Sequence, residues 1–409
     1  MPHDRLHETL TAELRDLDRR GTAKGAETVF VGVVPAAGDR GPRFLLEGQD
    51  DREFLRMNSN SYLGLSLRRE LIRAEEEAAR EFGTGPGAVR FISGTYRAHR
   101  DLEARLARFH GREGAMLFSS AYATTMGTLT PLITGETSVI SDELNHNCII
   151  NAIRLARPAQ KHVYRHLDLD GLAAALEASA EGGARRAVVV TDGIFSMRGD
   201  HAPLPEIVAL AREHDERFPE NVVVVVDDSH GVGAFGETGR GTEEATGSPP
   251  ADLLIATLGK ALGANGGYVA ASGTVLRYLR ETAPFYIYSN PITVAEAAAA
   301  LTAVEILDSA EGRRLLDHLR SMTQRFEHGL GELGLETLPG EHPVVPLMVR
   351  DTAKTTALVA HLRAHGILAT GLNYPVVPKG DEEIRFQVAA DHTPADIDRC
   401  LKVLAAFDG

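Results

Sequence analysis

Apolar residues in this chain follow two rhythms that alternate from about residue 62 onward. One is a short unbroken apolar run, found at 115–118, 139–141, 162–164, 187–191, 222–226, 253–256 and 267–271. The other places apolar residues every three or four positions, at 71–82, 97–109, 172–178 and 203–214. The short runs read as strands and the periodic segments as helices. Valine-rich strands without polar alternation are covered on both faces. Strands alternating with helices therefore predict an α/β fold around a mostly parallel sheet of seven strands, joined by right-handed crossovers.

Both ends of the chain leave this rhythm. Residues 7–17 carry apolar positions at helical spacing among charges, which predicts an amphipathic helix on the surface or in dimer packing. A stretch rich in glycine and polar residues, 21–51, reads as a connecting arm with short strands. Beyond Pro291, an alanine-rich helix at 294–307, strands at 344–349 and 384–388, and a closing helix at 394–407 predict a smaller α+β domain. The expected division is a helix and arm over 1–58, a large domain over 59–292 and a small C-terminal domain over 293–409.

Composition narrows the function classes. At 409 residues the chain can bury more than one core. A formal charge of −14 repels phosphates and argues against nonspecific nucleic-acid binding. Two cysteines, Cys148 and Cys400, cannot build a disulfide framework or a zinc site. The segment before residue 20 is charged throughout, and no apolar run is long enough to cross a bilayer, so a cytoplasmic protein is expected.

Two of the apolar runs end in residues that a core has no use for. Run 222–226 delivers Asp227-Asp-Ser-His230, and run 253–256 delivers Thr257-Leu-Gly-Lys260. A lysine can hold an aldehyde as a Schiff base, and burial or cationic neighbours make its amine a usable base. A carboxylate beside a pyridine nitrogen keeps that nitrogen protonated and the ring able to accept electrons. The combination points to pyridoxal 5'-phosphate. The plain alternatives are a solvated lysine at 260 and a capped strand end at Asp227 and His230. Gly83, Gly85 and Gly87 suggest a dinucleotide loop, but no strand precedes them, so they read as a loop near the site.

The surrounding motifs carry a resemblance. They are Asn60-Ser-Tyr-Leu-Gly64, Arg90-Phe-Ile-Ser-Gly-Thr95, His99-Arg-Asp-Leu-Glu103, Ser141-Asp-Glu-Leu-Asn-His146 and Asp192-Gly-Ile-Phe-Ser-Met197. Asp227-Asp-Ser-His230, Thr257-Leu-Gly-Lys260 and Pro375-Val-Val-Pro-Lys-Gly380 complete the set. In this order they resemble the α-oxoamine synthases, a branch of the fold-type I pyridoxal-phosphate enzymes, and within it the glycine C-acetyltransferase (2-amino-3-ketobutyrate CoA ligase) subfamily.

The resemblance implies that Lys260 forms the Schiff base and moves the Cα proton, that Asp227 pairs with the ring nitrogen, and that His230 bonds the phenolic oxygen. It implies that His146 stacks over the ring, where the competing reading is a histidine capping the helix that starts near Asn147. Ser196 would lie near the ring, or be a plain turn serine. The backbone N–H groups of Ala121 and Tyr122 and the Thr257 hydroxyl would hold the phosphate. Ser289 and Asn290 match positions donated from a neighbouring subunit, which implies a homodimer; alone, they could equally cap the next helix. Asn60 and Arg385 match a clamp for the amino-acid carboxylate. No metal is implied. The implied reaction condenses an amino acid, glycine first, with an acyl-CoA thioester and releases CoA.

Several positions differ from the acetyltransferase pattern. Thr125 stands where asparagine is usual, Arg198 where an acidic residue is expected, and Glu383 where a basic one is common. Tyr96, Arg97 and Ala98 are unfamiliar, and the loop 264–267 is a residue short. These differences leave open another acyl donor or amino acid, as in 8-amino-7-oxononanoate synthase or 5-aminolevulinate synthase, or an aminotransferase.

Overall fold

The computed structural model describes residues 3–408 apart from 21, 24, 339, 375 and 376. Pro375 and Val376, which open the last of the recognised motifs, lie outside the described residues. Three short strands, β1 Phe30–Val34, β2 Arg43–Leu46 and β3 Glu53–Arg56, follow an N-terminal helix, Asp4–Arg19. The central strands are β4 Gly114–Phe118, β5 Thr137–Asp142, β6 Gln160–Tyr164, β7 Arg186–Asp192, β8 Val222–Asp227, β9 Leu253–Thr257 and β10 Gly267–Ala271. Four more follow: β11 Val344–Met348, β12 Ile367–Leu368, β13 Thr370–Leu372 and β14 Glu383–Gln387.

The seven central strands form one sheet in the order β4-β10-β9-β8-β7-β5-β6. Only β10 runs against its neighbours, pairing antiparallel with both β4 and β9. The valines of β7 and all those of β8 but Val223 are almost fully buried, because helices cover both faces as their unbroken apolar sequence requires. On one face lie the helices Ala121–Leu132, Asn147–Ala156 and Gly273–Thr282, which share a core cluster with Met116, Val139, Val188, Val225 and Ile255. The other face joins the main core, which continues into the C-terminal region through Phe326 and Phe386.

Sheet direction decides where polar residues emerge. The parallel strands β5, β7, β8 and β9 end in Asp142, Asp192, Asp227 and Thr257. In an open α/β sheet the carboxyl ends of the strands border the ligand crevice.

The C-terminal region holds an antiparallel sheet, β11-β14-β13, packed with long helices. Its entry helix Val294–Leu307 starts with a capping box between Thr293 and Glu296. Its alanines let it lie close to the helices Arg69–Phe82 and Arg97–Phe109. The arm pairs β1-β2-β3 and then takes on β12 in parallel, with Ile367 opposite Leu55. Arg43 and Asp396, both buried, fasten the arm to the last helix, Pro394–Ala405. We propose that residues 59–292 act as the large unit and 293–409 as the small one, with the arm built into the latter's side.

Candidate active site

Asp227 ends β8 nearly buried, and its carboxylate is fixed before anything binds. Thr125 donates its hydroxyl to Oδ2 at 3.1 Å, and Ser229 donates its hydroxyl to Oδ1 at 2.5 Å. Thr125, one of the unfamiliar positions, thus orients the acid from the helix across the site.

His230, three residues on, is buried with Nδ1 2.7 Å from the Tyr62 hydroxyl. Burial, reinforced by the positive charge of Lys260, pushes its pKa well below the usual histidine range, so the ring is neutral. Behind it, His342 donates from Nε2 to the His230 carbonyl at 2.9 Å. Burial takes the pKa of His342 down to about 4.

Lys260 follows the turn after β9. Burial lowers its amine from the ordinary lysine value to about 8, against the opposing pull of Asp227 and Asp192. Asp192, at the end of β7, is itself driven well above the usual carboxylate range by burial and then by Asp227. Its Oδ2 accepts the His146 backbone N–H at 2.9 Å. The His146 ring does two things: Nδ1 accepts from the Cys148 N–H at 3.3 Å, capping the helix Asn147–Ala156, and the ring lines the same cavity as Lys260. Burial lowers its pKa as well.

One cavity brings together Ala121, His146, Ser196, Asp227, His230 and Lys260, and Tyr122 also reaches it. Ala121 and Tyr122 open the helix Ala121–Leu132, whose cap Ser120 accepts from the Ala123 N–H at 3.1 Å. A helix N-terminus turned toward a cavity is a ready anion site. Gly267 makes this packing possible, since a Cβ there would lie 2.5 Å from the Ala121 nitrogen. Thr257 opens the turn that carries Lys260, and its hydroxyl accepts from the Gly259 N–H at 3.1 Å.

Arg385 and Asn60 lie outside the cavity lining, and each contacts a residue next to it. Arg385 donates from Nη1 to the Ser196 carbonyl at 3.0 Å. Two residues along β14, on the same face, Gln387 donates to Asn60 Oδ1, and the Tyr62 hydroxyl oxygen lies 3.3 Å from that same atom. Ser289 is half-buried and Asn290 exposed, and neither lines the cavity. The Gly83–Gly87 loop also stays outside it.

Tyr62, Gln387, Ser229 and Asp192 belong to the site and were given no role from the sequence, and Thr125 stood out there only as an unfamiliar position. Tyr62, Asp192 and Ser229 sit inside the recognised motifs, so only their roles were missed. Part of the motif set is scaffold. Arg90 and Glu103 form a buried ion pair at 3.2 Å, and His99 Nε2 lies 2.8 Å from the Ile292 carbonyl.

The model of the aminotransferase class I and II family matches residues 52–404. The chain belongs to that family, in its α-oxoamine synthase branch. It is 38% identical to 2-amino-3-ketobutyrate coenzyme A ligase, mitochondrial, of Homo sapiens over 97% of this chain and 91% of that one. It is also 38% identical to 8-amino-7-oxononanoate synthase of Exiguobacterium sibiricum, over 97% and 96% of the two chains. Among solved structures it resembles a serine palmitoyltransferase with pyridoxal phosphate, with a TM-score of 0.85 and 26% identity, covering 99% of this chain and 97% of that chain. The fold is the fold-type I transferase fold, and the protein is a pyridoxal-phosphate-dependent acyltransferase.

The cavity fits that cofactor on its own terms. It offers an amine of lowered basicity, a braced carboxylate, a neutral buried imidazole and a helix N-terminus for a phosphate. Among the described residues, no cluster of His, Cys, Asp and Glu is placed to hold a metal ion, and no helix is long and apolar enough to cross a membrane.

Proposed function

We propose that the protein condenses an amino acid, glycine first, with an acyl-CoA thioester and releases CoA. The observation that carries this reading is the meeting of Lys260, Asp227 and His230 in one cavity with Arg385 donating to the carbonyl of Ser196, which lines it. Pyridoxal phosphate, when bound, supplies an aldehyde for an amine and a ring that accepts an electron pair from the substrate Cα.

The chain's own residues do the rest. Asp227, held by Thr125 and Ser229, presents its carboxyl group where the ring nitrogen would sit. His230 presents Nε2 as a hydrogen-bonding partner for the phenolic oxygen, and the first N–H groups of Ala121–Leu132 take the phosphate. Arg385 and Asn60 grip the amino-acid carboxylate and so set which Cα bond stands across the ring. Lys260 Nζ removes the Cα proton, a task suited to an amine near neutrality. His146 covers the cavity from the helix it caps.

A homodimer with shared sites is part of the proposal. Phe91 and Ile92, within the Arg90 motif, are 67% and 68% exposed, and Tyr288, directly before Ser289 and Asn290, is 79% exposed. Such apolar exposure is suited to a partner surface. A cytoplasmic location is likewise proposed.

The test is a matrix of amino acids against acyl-CoA thioesters, read by thiol release and product mass. Glycine-dependent thiol release with a new aminoketone or β-keto amino acid supports the reading, and the responding row names the acyl donor. The family's name also favours amino-group transfer, which would appear as keto-acid turnover without thiol release and would displace the synthase reading.

A further inference from the structure

Two of the unfamiliar positions, Arg198 and Glu383, are 185 residues apart in the sequence and come to the same side of β14. Ile384 and Phe386 on β14 point into the core, so Glu383, Arg385 and Gln387 share the opposite face. That face meets the loop after β7, where Arg385 reaches the Ser196 carbonyl. Gly199, at φ +74°, turns the loop so tightly against β11 that a Cβ would lie 2.5 Å from the Val344 carbonyl oxygen. Arg198 extends from this loop and is engaged by Asp200 at 3.0 Å.

Glu383 is only 3% exposed, and its Oε1 has no hydrogen-bond partner among the described residues. Nε of Arg385 is also without a partner there. A buried carboxylate therefore stands one register step from the guanidinium assigned to the substrate carboxylate. When that substrate arrives, two carboxylates would share one cation in a site of low polarity. Like charges that close do not both stay ionised, and a proton on one of them is the least costly relief.

We propose that Glu383 takes up a proton from solvent as the amino-acid carboxylate seats on Arg385, which makes Glu383 a positioning residue of the substrate clamp. The proposal rests on the reading of Arg385 as that clamp. The groups facing Glu383 are consistent with it. Burial moves its pKa up to about 7, Arg385 and then Arg198 pull it down, and Asp381 and Asp200 push it up. Asp200 in turn accepts from His166 Nε2 at 3.1 Å, and the second ring nitrogen of His166 lies 3.1 Å from Asp142. His166 is thereby held as a cation, with a pKa of about 9. Residues opposite Glu383 on the neighbouring strands are Met348 and Leu372, which carry no charge. Only Glu383 in this group combines burial, an open oxygen and proximity to the clamp. A protonated Glu383 would also offer an O–H to the incoming carboxylate, turning a repulsion into a hydrogen bond.

The test titrates the cofactor-loaded wild type, Glu383→Gln, Glu383→Leu and Arg198→Met with glycine and the other amino acids of the matrix. Binding is read from the cofactor's visible absorption, and the protons exchanged from calorimetry in buffers of different ionisation enthalpy. Near pH 7.5, wild type should take up a larger fraction of a proton than either Glu383 variant. The ratio of its Kd to that of Glu383→Gln should grow by up to roughly tenfold per pH unit above about 7. Arg198→Met removes a cation and should move this limb to higher pH, an effect that a purely structural role for Glu383 would not give. Equal proton counts in wild type and both Glu383 variants overturn the proposal alone. Absence of any amino-acid response in wild type overturns the clamp reading and the proposal together.

Discussion

The Tyr62 hydroxyl lies 2.7 Å from Nδ1 of His230, and both side chains are buried. A neutral imidazole carries one N–H, so a hydroxyl donating to Nδ1 leaves the proton on Nε2. Tyr62 thereby chooses which nitrogen of His230 carries the proton, and in the proposed role that is the one offered to the cofactor. Removing the hydroxyl in Tyr62→Phe frees the proton to move to Nδ1. The expected outcome is a shifted cofactor absorption band and a fall in kcat of about tenfold, the size of one lost hydrogen bond. Steady-state kinetics and spectra of the variant check this, and wild-type values for both would reduce Tyr62 to packing.

The basicity of Lys260 predicts how the empty protein captures its cofactor. Only the unprotonated amine attacks an aldehyde. With a pKa of about 8, the capture rate should rise with pH, close to tenfold per unit well below that value, and level off above it. Stopped-flow absorbance after mixing apoprotein with pyridoxal phosphate measures the profile. Lys260→Ala should show no such phase, and borohydride should leave no adduct at that position.

Shared sites would make activity recoverable from two dead variants. Lys260→Ala and a Ser289→Ala, Asn290→Ala double variant should each be inactive as pure dimers. After subunit exchange, half the dimers are mixed, and each of those has one intact site. Recovery of about a quarter of wild-type activity is the expected result. No recovery despite exchange shown by mass would place Ser289 and Asn290 in the chain's own structure.

The buried pair of Arg43 and Asp396 is the strongest tie between the arm and the C-terminal helix. Asp396 also accepts from the Gly41 N–H at 2.8 Å and completes the capping box with Thr393. Asp396→Ala strands a buried guanidinium and should cost about 3–5 kcal/mol. Chemical denaturation followed by circular dichroism would show it as a lower unfolding midpoint.

How much of this was legible beforehand varied by element for physical reasons. The central strands could be read because burial on both faces leaves no polar position to break an apolar run, and all seven anticipated runs fall in the sheet. Lys260, Asp227 and His230 could be read because they end such runs. The 23-residue helix Ala310–Glu332 was not anticipated, although Leu316, Leu319, Met322, Phe326 and Leu330 mark its buried stripe. Its many charges and two late glycines masked that period. Gln387 could not have been found from local pattern, since its bond to Asn60 spans 327 residues and depends on how β14 docks. His146 shows the opposite problem, because helix capping and site lining were posed as alternatives and one ring performs both.

The close approach at Gly267 has one more consequence. The first residue of the single reversed strand sits between Phe118 and Thr257 and touches the opening turn of Ala121–Leu132. A lone methyl group there would wedge the opening turn of that helix away from the strand ends beside the lysine. The spacing between the proposed phosphate cradle and Lys260 is thus set by a hydrogen atom where any other amino acid would place carbon.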